Sequence, residues 1–253
     1  MHILNCSIDS VIKLEKNIIL LKIKSPEIAS EIKPGQFLNI KVSDSYSPLL
    51  RRPFSVCDRE GDFIYIMFNI MGEGTKILSS KRRGSKIDIL GPLGHGFNLE
   101  GDYDTAVLVM GGLGAAPFPY VVREIIGEKE IISITGGRNE HDVITYGLSN
   151  IFVATDDGSM GFKGNVVELL KKNYNSIKNK KIKIFACGPS AMLRALQEFA
   201  LENNIDGEAA TECAMACGFG ICQGCPIESA TGQDSYLLVC KDGPVFNFRD
   251  VVI

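Results

Sequence analysis

The chain contains 253 residues, of which 45% are hydrophobic and 23% are charged, and its formal net charge is -3. A globular protein of this size can bury a sizeable core and is expected to divide into more than one domain. The small negative charge argues against a nucleic-acid partner, and the sequence shows neither a signal peptide nor an apolar run of the roughly 20 residues that cross a membrane, so we expect a cytoplasmic protein with no membrane partner.

Residues 1–100 alternate short β-type runs with turn residues. The runs cover residues 17–23, 36–42 and 62–69. Turn residues separate them, as in Pro34-Gly35 and Gly72-Glu73-Gly74. This spacing predicts an antiparallel β-barrel. A last strand through Asp88-Ile89-Leu90 is expected to stop at the glycine-rich stretch 91–97, just before the end of the domain.

A different pattern begins near residue 101 and extends to residue 206. Continuous apolar runs, which are typical of strands buried on both faces of a parallel sheet, recur at residues 106–110, 131–134, 151–154 and 182–186. Between them the sequence predicts helices at residues 117–126, 165–172 and 190–202, the last with Ser190 as its N-cap. Alternating strands and helices predict a doubly wound α/β domain.

The remaining residues, 207–253, contain five of the eight cysteines. Four of them have the spacing C-x4-C-x2-C…C that plant-type ferredoxins use for a 2Fe–2S cluster, which makes the candidate metal ligands Cys217, Cys222, Cys225 and Cys240. Nearby glycines allow the loop to wrap around a cluster and direct backbone N–H groups at its sulfurs. A zinc site is the alternative, although zinc sites more often present paired C-x2-C units. Cys213 fits no position in this spacing and is expected not to be a ligand.

Two further segments indicate dinucleotide binding. Arg51-Arg52-Pro53-Phe54-Ser55 combines a guanidinium that suits a pyrophosphate, a ring that can face a flavin and a hydroxyl that can bond to its edge. Ordinary turn chemistry is the alternative for this segment. Gly111-Gly112-Leu113-Gly114 lies between an apolar strand and a predicted helix, where a nucleotide phosphate meets helix N-terminal N–H groups. Its spacing is not G-x-G-x-x-G, so a structural turn is the alternative. Glycine turns at Gly136-Gly137 and Cys187-Gly188-Pro189 follow other strands, which places several loops at one sheet edge.

Taken in order, these motifs resemble the ferredoxin-NADP reductase superfamily over the whole chain. The cysteine loop at residues 216–225 and the ending Cys240-Lys241-Asp242-Gly243-Pro244-Val245-Phe246 resemble the electron-transfer subunits of type B dihydroorotate dehydrogenases. The resemblance implies a multidomain α+β fold with three parts. They are an FAD-binding antiparallel β-barrel at residues 1–100, a doubly wound NAD-binding α/β domain at 101–206 and a 2Fe–2S cluster domain at 207–253.

The resemblance also implies a function. The chain would pass electrons from the FMN of a separate dihydroorotate dehydrogenase catalytic subunit, through its 2Fe–2S cluster and FAD, to NAD+. The assembly implied is a heterotetramer of two catalytic and two electron-transfer chains that serves pyrimidine (UMP) biosynthesis. Dihydroorotate chemistry would belong to the partner, so no catalytic acid or base is expected here, and none of the three histidines is assigned such a role. By this likeness Cys187 would face the nicotinamide. The cofactor-binding residues implied are Arg52, Pro53, Phe54, Ser55, Met67, Phe68, Asn69, Gly74, Thr75, Gly111, Gly112, Gly114, Cys187, Gly188 and Pro189.

Two departures from the superfamily pattern affect these expectations. The turn at Gly111 lacks a glycine that the wider superfamily often has before the aliphatic residue, and Phe54 replaces a tyrosine. The sequence also leaves the choice between NADH and NADPH open. Glu130 lies about 20 residues past Gly111, but a solvated charge is the simpler interpretation. Asp156-Asp157-Gly158-Ser159 is typical of a turn and, if functional, would lie near the nucleotide.

Two other functions stay open at this point. One is a different flavin and iron–sulfur oxidoreductase subunit of the same build, which passes electrons between NADPH and ferredoxin or reduces sulfur compounds. The other is a non-catalytic interaction module stabilised by zinc. Visible absorbance separates the second from the rest, because zinc sites are colourless.

Overall fold

The computed structural model describes residues 1–15, 17–232 and 235–253. The N-terminal part forms a closed antiparallel barrel, as predicted. Leu21, Ile40 and Ile66 are among the fully buried residues of its core, because successive side chains of a strand point to opposite faces. Its strands are β1 (His2–Lys13), β2 (Ile18–Lys24), β3 (Phe37–Lys41), β4 (Arg52–Glu60), β5 (Phe63–Asn69) and β6 (Lys86–Leu93), closed in the order β1-β2-β5-β4-β3-β6.

Two sequence predictions for the barrel are wrong. Strand β6 does not stop at Leu90 but continues to Leu93, since a bulge places Gly91 and Pro92 opposite a single residue of β3, Leu38. A bulge tolerates proline, whose missing N–H would break a regular ladder, and a Cβ at Gly91 would lie 2.5 Å from Leu38 Cδ2. The predicted turn at Gly72-Glu73-Gly74 instead starts a helix. The barrel carries α1 (Pro26–Glu31) and α2 (Glu73–Ser79).

The second part of the chain is a parallel sheet covered on both faces. Ala106, Leu108 and Met110 pack in one core with the helix that follows the first strand, whereas Val107 and Val109 pack in another with the two later helices. This alternation confirms the doubly wound α/β domain. Its strands are β7 (Thr105–Gly111), β8 (Glu130–Gly137), β9 (Ile151–Thr155), β10 (Phe162–Lys163), β11 (Ile182–Cys187) and β12 (Asp206–Ala210), in the order β10-β9-β8-β7-β11-β12.

The helices of this domain are α3 (Phe118–Ile125), α4 (Val166–Ile177) and α5 (Ser190–Glu202). Helix α4 begins after Asn165, whose side chain accepts the N–H groups of Val167 and Glu168 at 3.0 Å each, and it runs past its predicted end at residue 172. The predicted N-cap of α5 is wrong, because Ser190 is already helical and no side chain caps the helix. Within the described ranges, no helix is long and apolar enough to span a membrane.

The C-terminal tail returns to both preceding parts. It contains β13 (Pro226–Ser229), β14 (Tyr236–Leu238), β15 (Val245–Asn247) and β16 (Val251–Val252). Strand β15 adds to the large sheet, antiparallel to β12, while β14-β13-β16 form a small sheet. Cys225 and Cys240 share a core with Phe37 and Leu93 of the barrel. The large sheet thus continues to Ala210, past residue 206, and the division into three domains stays a prediction.

Direct contacts hold the barrel against the α/β part. Arg123 of α3 donates two hydrogen bonds to the Asp58 carboxylate of β4, at 2.7 and 2.6 Å. The Tyr120 hydroxyl donates to the Ile32 carbonyl at 2.9 Å. A shared apolar core, which includes Leu20 and Phe118, lies beside these contacts. The carboxyl ends of β7 and β11 consequently face the barrel strands β4 and β5 across a cleft.

Candidate cofactor sites

Two adjoining cavities occupy the cleft between the barrel and the parallel sheet. The larger, of about 1270 Å³, lies over the carboxyl ends of the parallel strands, which is where open α/β sheets bind ligands. The smaller, of about 250 Å³, lies against β4 and β5 of the barrel. The two meet at residues that line both, namely Asn69, Met71, Leu113 and Glu212. A ligand in one cavity can therefore contact a ligand in the other.

The smaller cavity gathers most of the residues predicted to bind a flavin. Phe54 is buried, and its ring lies 5.5 Å from that of Phe68 on the neighbouring strand. Apolar rings and methionine beside a few polar groups are typical of an organic cofactor pocket. The predicted residues that line it are Pro53, Phe54, Ser55, Met67, Phe68, Asn69, Thr75 and Cys187.

Arg52 and Gly74 lie together just outside this lining. A Cβ built on Gly74 would be 3.4 Å from Arg52 Nε, so the guanidinium passes over the start of α2. There the Thr75 hydroxyl accepts the backbone N–H groups of Met71 and Gly72 at 3.0 and 3.1 Å. Arg51 points elsewhere, since it pairs with Asp88 at 2.9 Å. Of the two adjacent arginines, Arg52 is the one that lies beside the start of α2, and its role with a flavin phosphate stays a prediction.

The larger cavity gathers the predicted glycine turns. Five of the six residues predicted at these turns line it, and the sixth, Cys187, lines the smaller cavity. The five are Gly111, Gly112, Gly114, Gly188 and Pro189. The turn after β7 packs against the turn after β11, because a Cβ on Gly114 would collide with the carbonyl oxygen of Cys187. Glycine is needed here for close approach of two backbones. The turn is thus structural and also forms the cavity wall.

Charged side chains line the far end of the larger cavity. The sequence assigned no role to Arg138 or Asp142, and it placed Asp156 in a turn that would lie near the nucleotide if functional. Arg138 follows β8 and Asp156 follows β9, while Asp142 pairs with Arg138 at 2.9 Å. Glu130 lies at the opposite edge of the sheet, at the start of β8, where it bonds Thr105 Oγ1 at 3.0 Å. Glu130 therefore lies away from the cavity, as the simpler interpretation expected, but it starts a strand rather than ending a helix and forms an ion pair with Lys180. The sequence could name the Asp156 turn, but only the order of the parallel strands places it beside Arg138.

Glu212 is the ionisable residue where the two cavities meet. It opens to the cavities, yet burial of its carboxyl raises its pKa above the ordinary value. Burial also raises the pKa of the Cys187 thiol, and the Glu212 charge adds to that effect. Cys187 is consequently a neutral thiol. A single glutamate after a strand carries no distinctive signal, so the sequence does not mark Glu212 as a site residue.

The four predicted cluster ligands form two close pairs. The Cys225 and Cys240 thiols are 3.2 Å apart, and the Cys222 N–H donates to Cys217 Sγ at 3.5 Å. Burial raises the pKa of Cys217, but N–H groups of Cys222, Phe219 and Ile221 outweigh it and lower that pKa to about 6. Gly218 and Gly220 have positive φ, which turns these N–H groups toward the sulfur.

Within the described ranges, no three histidine, cysteine or acidic side chains converge tightly enough to hold a metal ion. The four thiols still fit an iron–sulfur group by their chemistry. Iron–sulfur clusters bind thiolates, and N–H donors around the sulfur stabilise that form and tune the cluster. Cys213 packs against the same core as Cys225 but also lines the smaller cavity. Its exclusion as a ligand stays a prediction.

Comparison with known proteins gives matches over the entire chain. Residues 212–252 match the family described as the iron-sulfur cluster binding domain of dihydroorotate dehydrogenase B. A Desulforamulus reducens protein named dihydroorotate dehydrogenase B (NAD(+)), electron transfer subunit, is 33% identical over 252 residues, 96% of this chain and 95% of that protein. A Fusobacterium nucleatum protein of the same name is 35% identical over 264 residues and 100% of both chains.

Solved structures show the same architecture. An NADH-dependent reduced ferredoxin-NADP oxidoreductase aligns with a TM-score of 0.84 and 26% identity, over 98% of this chain and 89% of that chain. A ferredoxin NADP+ reductase from Neisseria gonorrhoeae, solved with FAD and NADP, aligns with a TM-score of 0.67 and 20% identity, over 80% of this chain and 92% of that chain. The second likeness establishes the fold alone.

Proposed function

This chain belongs to the family of electron transfer subunits of NAD-dependent dihydroorotate dehydrogenase B, and we propose that it passes electrons from its partner's FMN, through a 2Fe–2S cluster and FAD, to NAD+. One observation carries the proposal. The smaller cavity borders the larger one through Leu113 and Glu212 and borders the cysteine tail through Cys213 and Met215. A flavin in that cavity lies between the cluster loop and the nucleotide, which is the order that the electron path needs.

In this proposal the smaller cavity holds the flavin ring. The buried ring of Phe54 and the side chain of Met67 supply apolar walls, and the Ser55 hydroxyl supplies a hydrogen bond to the ring edge. Arg52, beside Gly74 and Thr75, binds the FAD phosphates. When bound, a flavin supplies exchange between the one-electron chemistry of a cluster and the two-electron chemistry of a nicotinamide.

The larger cavity holds NAD+ in the same proposal. The glycine turn at Gly111, Gly112 and Gly114 lets the nucleotide approach the backbone, and Gly188 and Pro189 form the wall beside the flavin cavity. Cys187 lines the flavin side as a neutral, buried thiol. Its role is to fill space against the reacting rings without adding a charge.

In this proposal the 2Fe–2S cluster is bound by four cysteines, Cys217, Cys222, Cys225 and Cys240. The loop that contains the first three provides the contact with the catalytic subunit. Cys222 is exposed, and Phe219 and Ile221 beside it expose 40% and 75% of their surfaces. An apolar, exposed loop around a redox centre suits docking against a second redox protein. We propose a heterotetramer of two catalytic and two electron-transfer chains in the cytoplasm, where thiols stay reduced, acting in pyrimidine biosynthesis.

The test is to co-express this chain with the catalytic subunit and to follow NADH formation after adding dihydroorotate. We expect dihydroorotate-dependent NADH formation, with flavin absorbance and iron in the purified complex. Cys222→Ser is expected to lose iron and activity, while Cys213→Ser, the matched control in the same loop, keeps its iron. A flavin and iron protein that ignores dihydroorotate would favour the NADPH/ferredoxin or sulfur-reducing alternative, and a colourless protein would favour the zinc module.

A further inference from the structure

The order of strands determines which end of the larger cavity receives the adenosine half of the nucleotide. In the sheet, β11 and β7 lie beside the flavin cavity, and β8 and β9 lie progressively farther from it. Neighbouring strands are spaced by about 4.8 Å. A dinucleotide whose nicotinamide contacts the flavin therefore extends its adenosine over the ends of β8 and β9.

Three charged residues converge at those strand ends. The Arg138 Nε donates to Asp142 Oδ2 at 2.9 Å, and this bond raises the pKa of Arg138. The Asp156 N–H donates to the Gly137 carbonyl at 3.1 Å, which pins the end of β9 beside Arg138. The Asp156 charge also acts on Arg138. Asp142 is thus the ion-pair partner of Arg138, the negative charge of Asp156 lies nearby, and His141 lines the same wall.

The turn itself does not require Asp156. Its neighbour Asp157 accepts the Ser159 N–H at 2.9 Å, and Gly158 supplies the positive φ. Among the residues that the structure describes, the Asp156 carboxylate forms no ion pair or hydrogen bond, although it lines the cavity. A carboxylate that lines the cavity and has no hydrogen-bond partner in the described protein is available to a ligand hydroxyl.

We propose that Asp156 and the Arg138–Asp142 pair read the 2′ position of the adenosine ribose, so that the site accepts NADH and rejects NADPH. The proposal rests on the proposed function, since it concerns the nucleotide of that reaction. A 2′-hydroxyl donates to the Asp156 carboxylate, as acidic residues do in other NAD sites. A 2′-phosphate meets the same negative charge. Arg138 could attract that phosphate, but the ion pair with Asp142 already neutralises the Arg138 charge. The Asp142 carboxylate therefore disfavours NADPH by removing the positive charge that its 2′-phosphate would need.

The experiment uses the full chain loaded with FAD and iron, and measures NADH and NADPH oxidation with ferricyanide as acceptor. The wild type is expected to prefer NADH. Asp156→Ser removes the repelling charge, and Asp142→Asn frees Arg138 while keeping the side-chain shape. Each is expected to lower the ratio of the two kcat/KM values by about tenfold, the factor that corresponds to about 1.4 kcal/mol.

Two controls make the result specific. Asp157→Ser removes a neighbouring charge that does not line the cavity, and it should leave the ratio unchanged. Adding Arg138→Ala to Asp142→Asn should abolish the gain for NADPH. Inhibition by 2′-AMP, compared with 5′-AMP, reports the same site without a redox step, and 2′-AMP should inhibit Asp156→Ser more strongly than wild type.

The outcomes separate this inference from the proposed function. A wild-type protein that oxidises neither nucleotide would contradict the proposed function itself. Wild-type NADH oxidation with unchanged ratios in Asp156→Ser and Asp142→Asn would overturn the inference and leave the function standing. An equal shift in Asp157→Ser would also overturn it, because the effect would then come from the turn or from general charge.

Discussion

The close approach of Gly114 to the turn after β11 predicts a large and selective kinetic defect in Gly114→Ala. The added Cβ would collide with the Cys187 carbonyl oxygen and lie 2.6 Å from its carbonyl carbon and 2.8 Å from Gly188 Cα. All three are backbone atoms that cannot rotate away. To restore carbon contacts of about 3.5 Å, the two turns must separate by about 1 Å. A displacement of about 1 Å at a reacting centre can cost about 100-fold in rate.

We therefore expect the kcat/KM for NADH oxidation with ferricyanide to fall about 100-fold in Gly114→Ala. FAD and iron contents should stay at wild-type levels, because Gly114 lines neither the smaller cavity nor the cysteine loop. Gly127→Ala is the matched control, since Gly127 has φ +88° but no atom within 4 Å of the added Cβ. It should lose about 1 kcal/mol of stability from backbone strain and keep its kinetics. Equal activity in the two variants would refute the reasoning.

The raised pKa of Glu212 and the lowered pKa of Cys217 each have a measurable consequence. Because burial raises the pKa of Glu212, its charge is lost at a higher pH than an ordinary glutamate's. If the cationic nicotinamide ring of NAD+ lies beside this carboxylate, wild-type affinity for NAD+ should rise with pH through that pKa. In calorimetric titrations, Glu212→Gln should bind NAD+ more weakly than wild type at neutral pH, and its affinity should not change with pH. A raised carboxyl pKa favours folding only at low pH, so Glu212→Gln should also unfold at a higher temperature than wild type at neutral pH. In the iron-free chain, iodoacetamide at about pH 7 should label Cys217, whose pKa is about 6, before the buried Cys187. Peptide mass spectrometry that found equal labelling of the two would contradict this.

Local patterns in the sequence determined the elements and the cluster chemistry. Strands such as β7 and β11 are predicted from apolar runs because burial on both faces imposes one composition on consecutive residues. The spacing of Cys217, Cys222 and Cys225 is informative for a similar reason, since one short loop must supply several ligands to one group. Both signals depend on residues that are neighbours in the chain, so the sequence alone contains them.

Only the tertiary structure decided which distant residues meet. Position 91 of strand β6 requires a glycine because Leu38 on the neighbouring strand occupies the space that a Cβ would fill. Lysine is usually a surface residue, but Lys183 is almost fully buried in β11. Its burial is possible because Glu208 of β12 pairs with its ammonium group at 2.8 Å. Asp156 reaches the far end of the larger cavity beside Arg138, and Glu212 reaches the junction of the two cavities, through the order of the parallel strands. Periodicity indicates which face of a strand or helix is buried. Contacts between residues that are far apart in the sequence depend on how the elements pair and pack, and no local pattern specifies that arrangement.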